Sequence, residues 1–207
     1  TIPALREGDH TLNATVTDAA GNSSTTATSV TITVDVTPPS AATGVTVSSE
    51  GTAINSGGAT NDTTPVISGN ATAGSTVIIY NGTEQLGTAT VGDGGTWTFT
   101  PTTGLGEGEH SITATVVDPA GNSSAPSTPV IVNIDLTPPA AASELVLSND
   151  NSVTAVPVTN GPTNDTTPAL RGIAEPGSKL TATATIDRTS AVLGTPTLGR
   201  CCTWTIN

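Results

Sequence analysis

Residues 118–139 read DPAGNSSAPSTPVIVNIDLTPP, and residues 18–39 read DAAGNSSTTATSVTITVDVTPP. The two stretches share an initial Asp, the run AGNSS and the closing TPP, each at a constant offset of 100 positions. Like segments at a fixed offset indicate tandem structural repeats, in which each repeat is one packing unit. The chain of 207 residues is therefore organised as repeats of about half its length.

Further matches locate two insertions in the second repeat. The matched pairs are NDTTP at 61–65 and 164–168, LGT at 86–88 and 193–195, and Trp97 and Trp204. The offset is 103 for NDTTP and 107 for LGT and Trp, compared with 100 for the first stretch. The second repeat therefore has three extra residues before NDTTP and four more before LGT. The C-terminal text WTIN followed by the N-terminal TIPALREGDH aligns with WTFTPTTGLGEGEH without a gap. We infer that the 207 residues make up one period of a head-to-tail array and that this period is cut out of phase with the repeats.

The repeats divide the chain into three parts. Residues 1–36 are the C-terminal half of one repeat (strands F and G), 37–136 a complete repeat, and 137–207 the N-terminal half of another (strands A to E). Neither half holds a full core, so we expect residues 137–207 to be completed by residues 1–36 of the next copy. The expected contacts bring Leu12, Val16, Ile32 and Val34 against Trp204 and Ile206. Copies that are covalently continuous and copies that are separate subunits both satisfy this pattern.

Short alternating apolar runs predict the strands of the complete repeat. They fall at 43–48, 65–70, 76–81, 86–91, 96–100, 110–117 and 128–135. Seven strands in a repeat of about 100 residues are typical of an immunoglobulin-like β-sandwich. We therefore predict an all-β fold of tandem seven-stranded immunoglobulin-like sandwiches in a linear array. Alternation predicts that Val66, Trp97 and Phe99 are among the inward residues, with Trp204 equivalent to Trp97.

Composition excludes several classes of function. Five basic residues against seventeen acidic ones give a formal net charge of −12, which repels nucleic acid and anionic membranes. No apolar run approaches the roughly 18 residues of a membrane span. No serine lies in a recognisable nucleophile motif and no glycine-rich phosphate loop precedes a helix, so we predict that the protein is not an enzyme. His10 and His110 begin equivalent strands and are interpreted as structural residues.

The repeat contains five characteristic segments in the order TPP, NDTTPVISGNATAGSTVIIYNG, LGTATVGDGGTWTFTP, LGEGEHSITATVVDPAGNSS and VNIDLTPP. In this order the chain resembles the bacterial immunoglobulin-like (Big) tandem repeats of giant secreted adhesins, including those of the repeats-in-toxin type. The resemblance covers the whole chain, and residues 171–200 diverge most. It implies an extracellular stalk at a bacterial cell surface, with Ca2+ held where successive domains meet.

Candidate calcium ligands follow from the ends that the loops share in such a sandwich. The loop 118–122 follows strand F, the sixth predicted strand (110–117), and lies at the end where the chain enters the domain. The loop NDTTP lies at the end where the chain leaves it. Calcium takes six to eight oxygen ligands, which Asp side chains and loop carbonyls supply. For the first junction we expect Asp35 and Asp118, with Glu7 or Asp9 as further candidates. The candidates for later junctions are Asp62, Asp135, Asp18 of the next copy, and Asp165.

A competing interpretation assigns the same aspartates to ordinary turns. The Asp of DxAGN forms an Asx turn, NDTTP becomes a capped strand start, and the Asp before TPP is a plain linker residue. Cys201 and Cys202 replace a Gly-Gly turn, where two adjacent thiols are either free or form an intermolecular disulfide.

The resulting hypothesis is a calcium-stiffened extracellular spacer that carries an adhesive tip, whose ligand these residues do not define. The neighbouring repeats or copies, joined head to tail, are its expected partners. The alternatives are a self-assembling filament subunit with head-to-tail strand complementation, and a glycan-binding or ice-binding module.

Overall fold

The computed structural model of the protein describes residues 3–25, 28–149, 156–158, 166, 168–186, 189–195 and 203–206. These residues form strands, turns and irregular segments, and they include no helix. The chain divides into two compact units, Thr1–Leu136 and Thr137–Asn207.

In the first unit the strands are β1 (Gly8–Ala14), β2 (Thr28–Val34), β3 (Thr43–Ser49), β4 (Thr52–Ile54), β5 (Gly58–Thr60), β6 (Val66–Asn70), β7 (Thr76–Asn81), β8 (Glu84–Thr90), β9 (Thr96–Phe99), β10 (Gly108–Val117) and β11 (Val130–Ile134). In the second unit they are β12 (Ser143–Asn149), β13 (Val156–Val158), β14 (Ala169–Ile173), β15 (Ala182–Ile186), β16 (Thr189–Gly194) and β17 (Thr203–Ile206).

The complete repeat forms two sheets that pack face to face. One sheet has the strand order β4-β3-β6-β9, and the other has the order β5-β11-β10-β7-β8. The pairs are antiparallel except that β5 runs parallel to β11. Two mainly antiparallel sheets enclosing one core are the architecture of an immunoglobulin-like sandwich. The predicted all-β immunoglobulin-like fold is confirmed.

The core lies between these sheets and is made of side chains from both. Its fully buried members, with no exposed area, are Val47, Ile67, Val77, Ile79, Ile112, Ala114, Val116, Val132 and Ile134. Trp97 is only 2% exposed and packs in the same cluster, with Phe99 partly buried against it. Burial of about ten apolar side chains supplies the main favourable term in the stability of this sandwich.

The predicted register of β6 is wrong by one residue. Val66 was expected to point inward, but it is 38% exposed, whereas Ile67 is fully buried. Ile67 pairs with Val47 on one side and Phe99 on the other, and directly paired residues share a face of the sheet. Because Val66 and Ile67 are both apolar and β-branched, alternation alone does not choose between them.

Two short strands of the complete repeat were not predicted. β4 continues from β3 through a tight turn, and β5 then crosses to the other sheet to pair with β11. Each strand has three residues, which is too short for a period of two to be visible in the sequence. The first predicted strand is therefore followed by two further pieces that together reach both sheets.

The second unit repeats part of this plan. Its sheet β13-β12-β14-β17 has the same order as β4-β3-β6-β9. Its hairpin β15–β16 corresponds to β7–β8, since Ala182 pairs with Gly194 as Ile79 pairs with Gly87 at offsets of 103 and 107.

The first 36 residues contribute an antiparallel hairpin, β1–β2. Gly8 pairs with Val34, as Gly108 pairs with Ile134 in β10–β11, so the two hairpins have the same register. Within the described residues, β1 and β2 form a two-stranded sheet by themselves.

Candidate functional site at the domain junction

The two DxAGN loops fold as tight Asx turns. In the loop 118–122, the Asn122 main-chain N–H donates to Asp118 Oδ1 at 2.8 Å, and Asn122 Nδ2 donates to Asp118 Oδ2 at 2.9 Å. In the loop 18–22, Asn22 makes the same two bonds to Asp18 at 2.8 and 3.0 Å. Asp therefore acts as the acceptor that closes each loop, as the turn interpretation of these residues expected.

Glycine completes each loop because the backbone there enters the left-handed region. Gly21 has a φ of 94° and Gly121 a φ of 95°, and both N–H groups donate to the carbonyl of the Asp three residues earlier. A residue with a side chain is strained at such φ values, which explains the Gly of the AGN run.

The side-chain amide of Asn lowers the pKa of each loop aspartate. The side-chain hydrogen bond from Asn22 is the main cause that lowers the pKa of Asp18, and the bond from Asn122 does the same for the pKa of Asp118. Hydrogen bonds to a carboxylate favour its ionised form. Both loops therefore present a stable negative charge at neutral pH.

The linker between the hairpin and the complete repeat is held from both sides. Asn122 Nδ2 donates a second hydrogen bond, at 3.1 Å, to the main-chain carbonyl of Asp35. From the hairpin side, Glu7 Oε2 accepts the N–H of Val36 at 2.9 Å. Asp35 Oδ1 accepts the N–H of Thr37 at 3.0 Å, which folds the linker on itself just before Pro38. We call residues 35–37 with these contacts the linker clamp.

The structure brings the first set of predicted ligands to one linker. Asp118 and the carbonyl of Asp35 share the amide of Asn122, and Glu7 contacts the next residue of the linker. Asp9 lies within the hairpin and accepts the hydroxyl of Thr33 at 2.6 Å.

The second set is partly brought together around Thr60. The Asp135 N–H donates to the Thr60 carbonyl at 2.9 Å, and the Asp62 N–H donates to Thr60 Oγ1 at 3.1 Å. Asp62 Oδ1 accepts the N–H of Thr64 at 2.9 Å, so it caps the start of β6. Asp165, Cys201 and Cys202 lie outside the described residues.

As placed, these carboxylates do not form a calcium coordination shell. Among the residues that the structure describes, no group of three or more His, Cys, Asp or Glu side chains is arranged to hold a metal ion. The oxygens of Asp18, Asp62 and Asp118 are turned toward main-chain or amide N–H groups instead. The assignment of Asp18, Asp35, Asp62, Asp118 and Asp135 to calcium stays a prediction.

Sequence reasoning missed Asn122 as a linker contact. The signal in the sequence is that Asn occupies the same position in both DxAGN loops, as Asn22 and Asn122. Its amide has two N–H groups, and these serve Asp118 and Asp35 at once.

The remaining candidates have structural roles. His110 Nε2 donates to the Gly106 carbonyl at 2.8 Å, and Asn81 Nδ2 donates to His110 Nδ1 at 2.9 Å. His10 likewise bonds the Arg6 carbonyl at 2.7 Å. Trp97 is buried and offers no stacking surface for a sugar. The described residues contain no helix that is long and apolar enough to cross a membrane.

The fold and the linker define a class of protein, the tandem β-sandwich repeat. The family model described as the bacterial Ig-like domain matches residues 1–36 and 37–136. Since these ranges cover well over half of the sequence, the chain belongs to the bacterial Ig-like domain family.

Two solved structures are similar to the chain over nearly all of it. A tetra-tandem repeat in the extending region of a large adhesion protein is 23% identical, with 99% of this chain and 49% of that chain covered and a TM-score of 0.36. A Ca2+-stabilized adhesin that helps an Antarctic bacterium reach out and bind ice is also 23% identical, with 96% and 48% covered and a TM-score of 0.44. The chain thus spans about half the length of each. A search of curated proteins gives no significant match to this chain.

Proposed function

We infer that this chain is part of the extracellular stalk of a bacterial surface adhesin, in which it acts as a spacer without catalytic activity. The family assignment supports a structural repeat. The observation that carries the proposal is the linker clamp, in which side chains from the hairpin and from the complete repeat hold the same three residues. A spacer needs its domains to keep a fixed angle, and contacts from both domains to the linker provide this.

Three features make the linker stiff. The hydrogen bond that Val36 N–H donates to Glu7 fixes the linker to the hairpin, and the bond that Asn122 donates to the Asp35 carbonyl fixes it to the complete repeat. Pro38 and Pro39 follow, and consecutive prolines favour extended backbone with little freedom in φ. Because prolines also lack an N–H, a strand ladder does not run on from one sandwich into the next.

Calcium is the second part of the proposal. The carboxylates of Glu7, Asp35 and Asp118 all bond to the linker or to residues that contact it, and the chain carries a formal net charge of −12. Repulsion among neighbouring carboxylates would be relieved by a divalent cation that takes oxygen ligands. These carboxylates do not form a coordination shell in their present orientation. Calcium binding therefore requires the side chains of Asp35 and Asp118 to turn away from their present N–H partners.

The linker clamp is tested by replacing Asn122 with Ala. The experiment uses spin labels on exposed residues Thr31 and Glu84, each replaced by Cys in a chain with Cys201→Ser and Cys202→Ser. Electron–electron double resonance then measures the distribution of distances between hairpin and repeat. We expect Asn122→Ala to broaden this distribution, because the complete repeat loses its bond to the Asp35 carbonyl.

Asn22→Ala is the matched control. Asn22 closes the equivalent loop through the same two bonds to Asp18, and these hydrogen bonds lie within the loop 18–22. The control should therefore leave the distance distribution unchanged. Equal broadening in both variants, or none in Asn122→Ala, contradicts the clamp and with it the argument for a stiff spacer.

A further inference from the structure

The pair Asn81–Gly82 lies inside the complete repeat, where β7 ends and the turn to β8 begins. Asn81 pairs with Glu84, so Gly82 and Thr83 form a two-residue hairpin loop. Gly82 has a φ of 58°, and glycine at the first central position with a positive φ is typical of a type II′ turn. The turn thus accounts for the glycine, but it does not require asparagine before it.

Asparagine followed by glycine is a chemically labile pair. The main-chain nitrogen of glycine attacks the side-chain Cγ of asparagine and forms a cyclic imide. The proton of that nitrogen passes through solvent to Nδ2, the Cγ–Nδ2 bond breaks, and ammonia leaves. Water then opens the imide at one of its two carbonyl groups, which gives aspartate or isoaspartate. Glycine favours ring closure because it has no Cβ, so the reaction needs only water and a free, rotatable Asn-Gly pair.

Strand β10 holds both reacting groups of this pair. The Gly82 N–H donates to the Ser111 carbonyl at 2.8 Å. Asn81 Oδ1 accepts the Ser111 N–H at 3.2 Å, and Asn81 Nδ2 lies 2.9 Å from His110 Nδ1. For the Gly82 nitrogen to reach Cγ of Asn81, these hydrogen bonds must break together. The attack is therefore blocked as long as β10 stays paired with the end of β7.

The hydrogen bonds around His110 permit one arrangement of protons. The Ser111 main-chain N–H is a donor, so the oxygen of the Asn81 amide faces it and Nδ2 faces His110. Since Nδ2 is a donor as well, His110 Nδ1 accepts its hydrogen bond and the ring proton lies on Nε2. Nε2 donates that proton to the Gly106 carbonyl at 2.8 Å. Every donor meets an acceptor, so His110 fixes the Asn81 amide on β10 and is itself fixed by the preceding loop.

We propose that Asn81 is a latent deamidation site of the complete repeat, and that Ser111 and His110 set its rate by holding Asn81 and Gly82 on β10. The site reacts in those molecules in which the start of β10 has opened locally. Local openings require less free energy than global unfolding, and the population of the open form sets the rate of a slow reaction that depends on it. The modification is thus confined to a single turn of an otherwise folded sandwich.

Deamidation would alter this turn irreversibly. The product carries a carboxylate, which accepts hydrogen bonds but donates none, so the bond from Nδ2 to His110 is lost. Isoaspartate also adds a methylene group to the backbone, which displaces Gly82 from the Ser111 carbonyl. The start of β10 pairs with the end of β11, so the modification loosens the sheet beside the last residues of the repeat.

The protection is measured on the full chain. Every chain carries Asn160→Gln, which removes the second Asn-Gly pair of the sequence, Asn160–Gly161. The protein is incubated at mildly alkaline pH, folded or in denaturant, and peptide mass spectrometry follows the conversion at position 81. We expect conversion to be at least about tenfold slower in the folded chain, because the reactive form is the locally opened one. Equal rates in the two conditions would overturn the proposal.

His110→Ala tests the role of the ring. It removes the acceptor of the Asn81 amide, so we expect conversion in the folded chain to become about fivefold faster, as the loss of one net hydrogen bond allows. His10→Ala is the matched control, since His10 makes the equivalent bond to the Arg6 carbonyl in the hairpin. In denaturant all chains should react at the same rate. A folded-state rate for His110→Ala no higher than that for His10→Ala would show that His110 does not hold the site.

Amide hydrogen exchange separates local opening from a general loss of stability. The Gly82 N–H reports on its bond to Ser111, and the Val91 N–H, which donates to the Ser75 carbonyl at 2.9 Å, reports on the core. Val91 is only 2% exposed. We expect His110→Ala to speed exchange at Gly82 and to leave exchange at Val91 unchanged. An equal increase at both amides would mean that the whole sandwich is destabilised, and it would contradict a latch at the start of β10.

Discussion

At the scale of single residues, glycine and tryptophan fit together inside the sandwich. A Cβ atom added at Gly69 would lie 2.8 Å from Cζ2 of Trp97, its partner across β6 and β9. The second unit pairs Gly172 with Trp204 in the same way along the backbone. The Gly opposite Trp therefore makes room for the ring, which alternation in the sequence does not reveal.

Gly69→Ala is expected to destabilise the complete repeat. The new methyl group has no space beside the indole, so the ring or the backbone must shift, at a cost of about 1–3 kcal/mol. Gly94→Ala is the control, since its Cβ would meet no atom within 4 Å. Chemical denaturation followed by Trp fluorescence measures both, and equal free energies of unfolding for the two variants would refute the packing argument.

The loop aspartates predict a pH dependence. Because the bond from Asn122 lowers the pKa of Asp118 below its ordinary value of 3.8, the loop contributes stability that is fully present above about pH 4. This contribution is lost as the pH falls through the lowered pKa. An NMR titration of Asp118 should give a midpoint below 3.8, and Asn122→Ala should raise it. A midpoint that Asn122→Ala leaves unchanged would show that the amide is not the cause.

At the scale of elements, the sequence predicts well the strands and buried faces that follow from alternation of apolar and polar residues. The long strands β7 and β10 alternate clearly, and the apolar residues at every second position are fully buried, namely Val77, Ile79, Ile112, Ala114 and Val116. The number of such alternating runs and the repeat offsets likewise predict the sandwich and its repetition along the chain. These features depend on local pattern and on comparison of one repeat with the other.

The features that were missed depend on contacts between distant residues. The inward position of Ile67 is decided by its pairing with Val47 and Phe99, and the strand β5 exists because β11 lies beside it. The contact of Asn122 with Asp35 joins residues 87 positions apart. None of these has a local signature, so the sequence names the loops of the candidate site but does not predict the hydrogen bonds between them.

At the scale of the whole molecule, the calcium proposal predicts that chelation loosens the first junction. Removing a divalent ion would restore repulsion among carboxylates near residues 35–37, while each sandwich keeps its own core. The same Thr31 and Glu84 labels should therefore show a narrower distance distribution with millimolar calcium than with chelator. Asp35→Asn together with Asp118→Asn should abolish the difference.

Magnesium at equal concentration serves as the control ion. It demands near-octahedral geometry and gives up its waters reluctantly, so it should narrow the distribution less than calcium does. If calcium neither changes the distances nor binds by calorimetry, calcium is removed from the proposal, and the linker clamp remains to be judged by Asn122→Ala alone.

If the chain acts as the proposed spacer, the parallel pair β5–β11 determines how the complete repeat carries mechanical load. β11 is its last strand and is flanked by β5 and β10, and the Asp135 N–H extends the contact with β5 to the Thr60 carbonyl. A pull on the chain beyond Asp135 acts along β11, so it loads the hydrogen bonds on both sides of that strand in shear. Bonds loaded in shear must break together, whereas bonds that are peeled break one at a time. Tension on the proposed stalk would thus be resisted by the hydrogen bonds on both sides of β11, and the short strand β5, which sequence periodicity does not show, would provide part of that resistance.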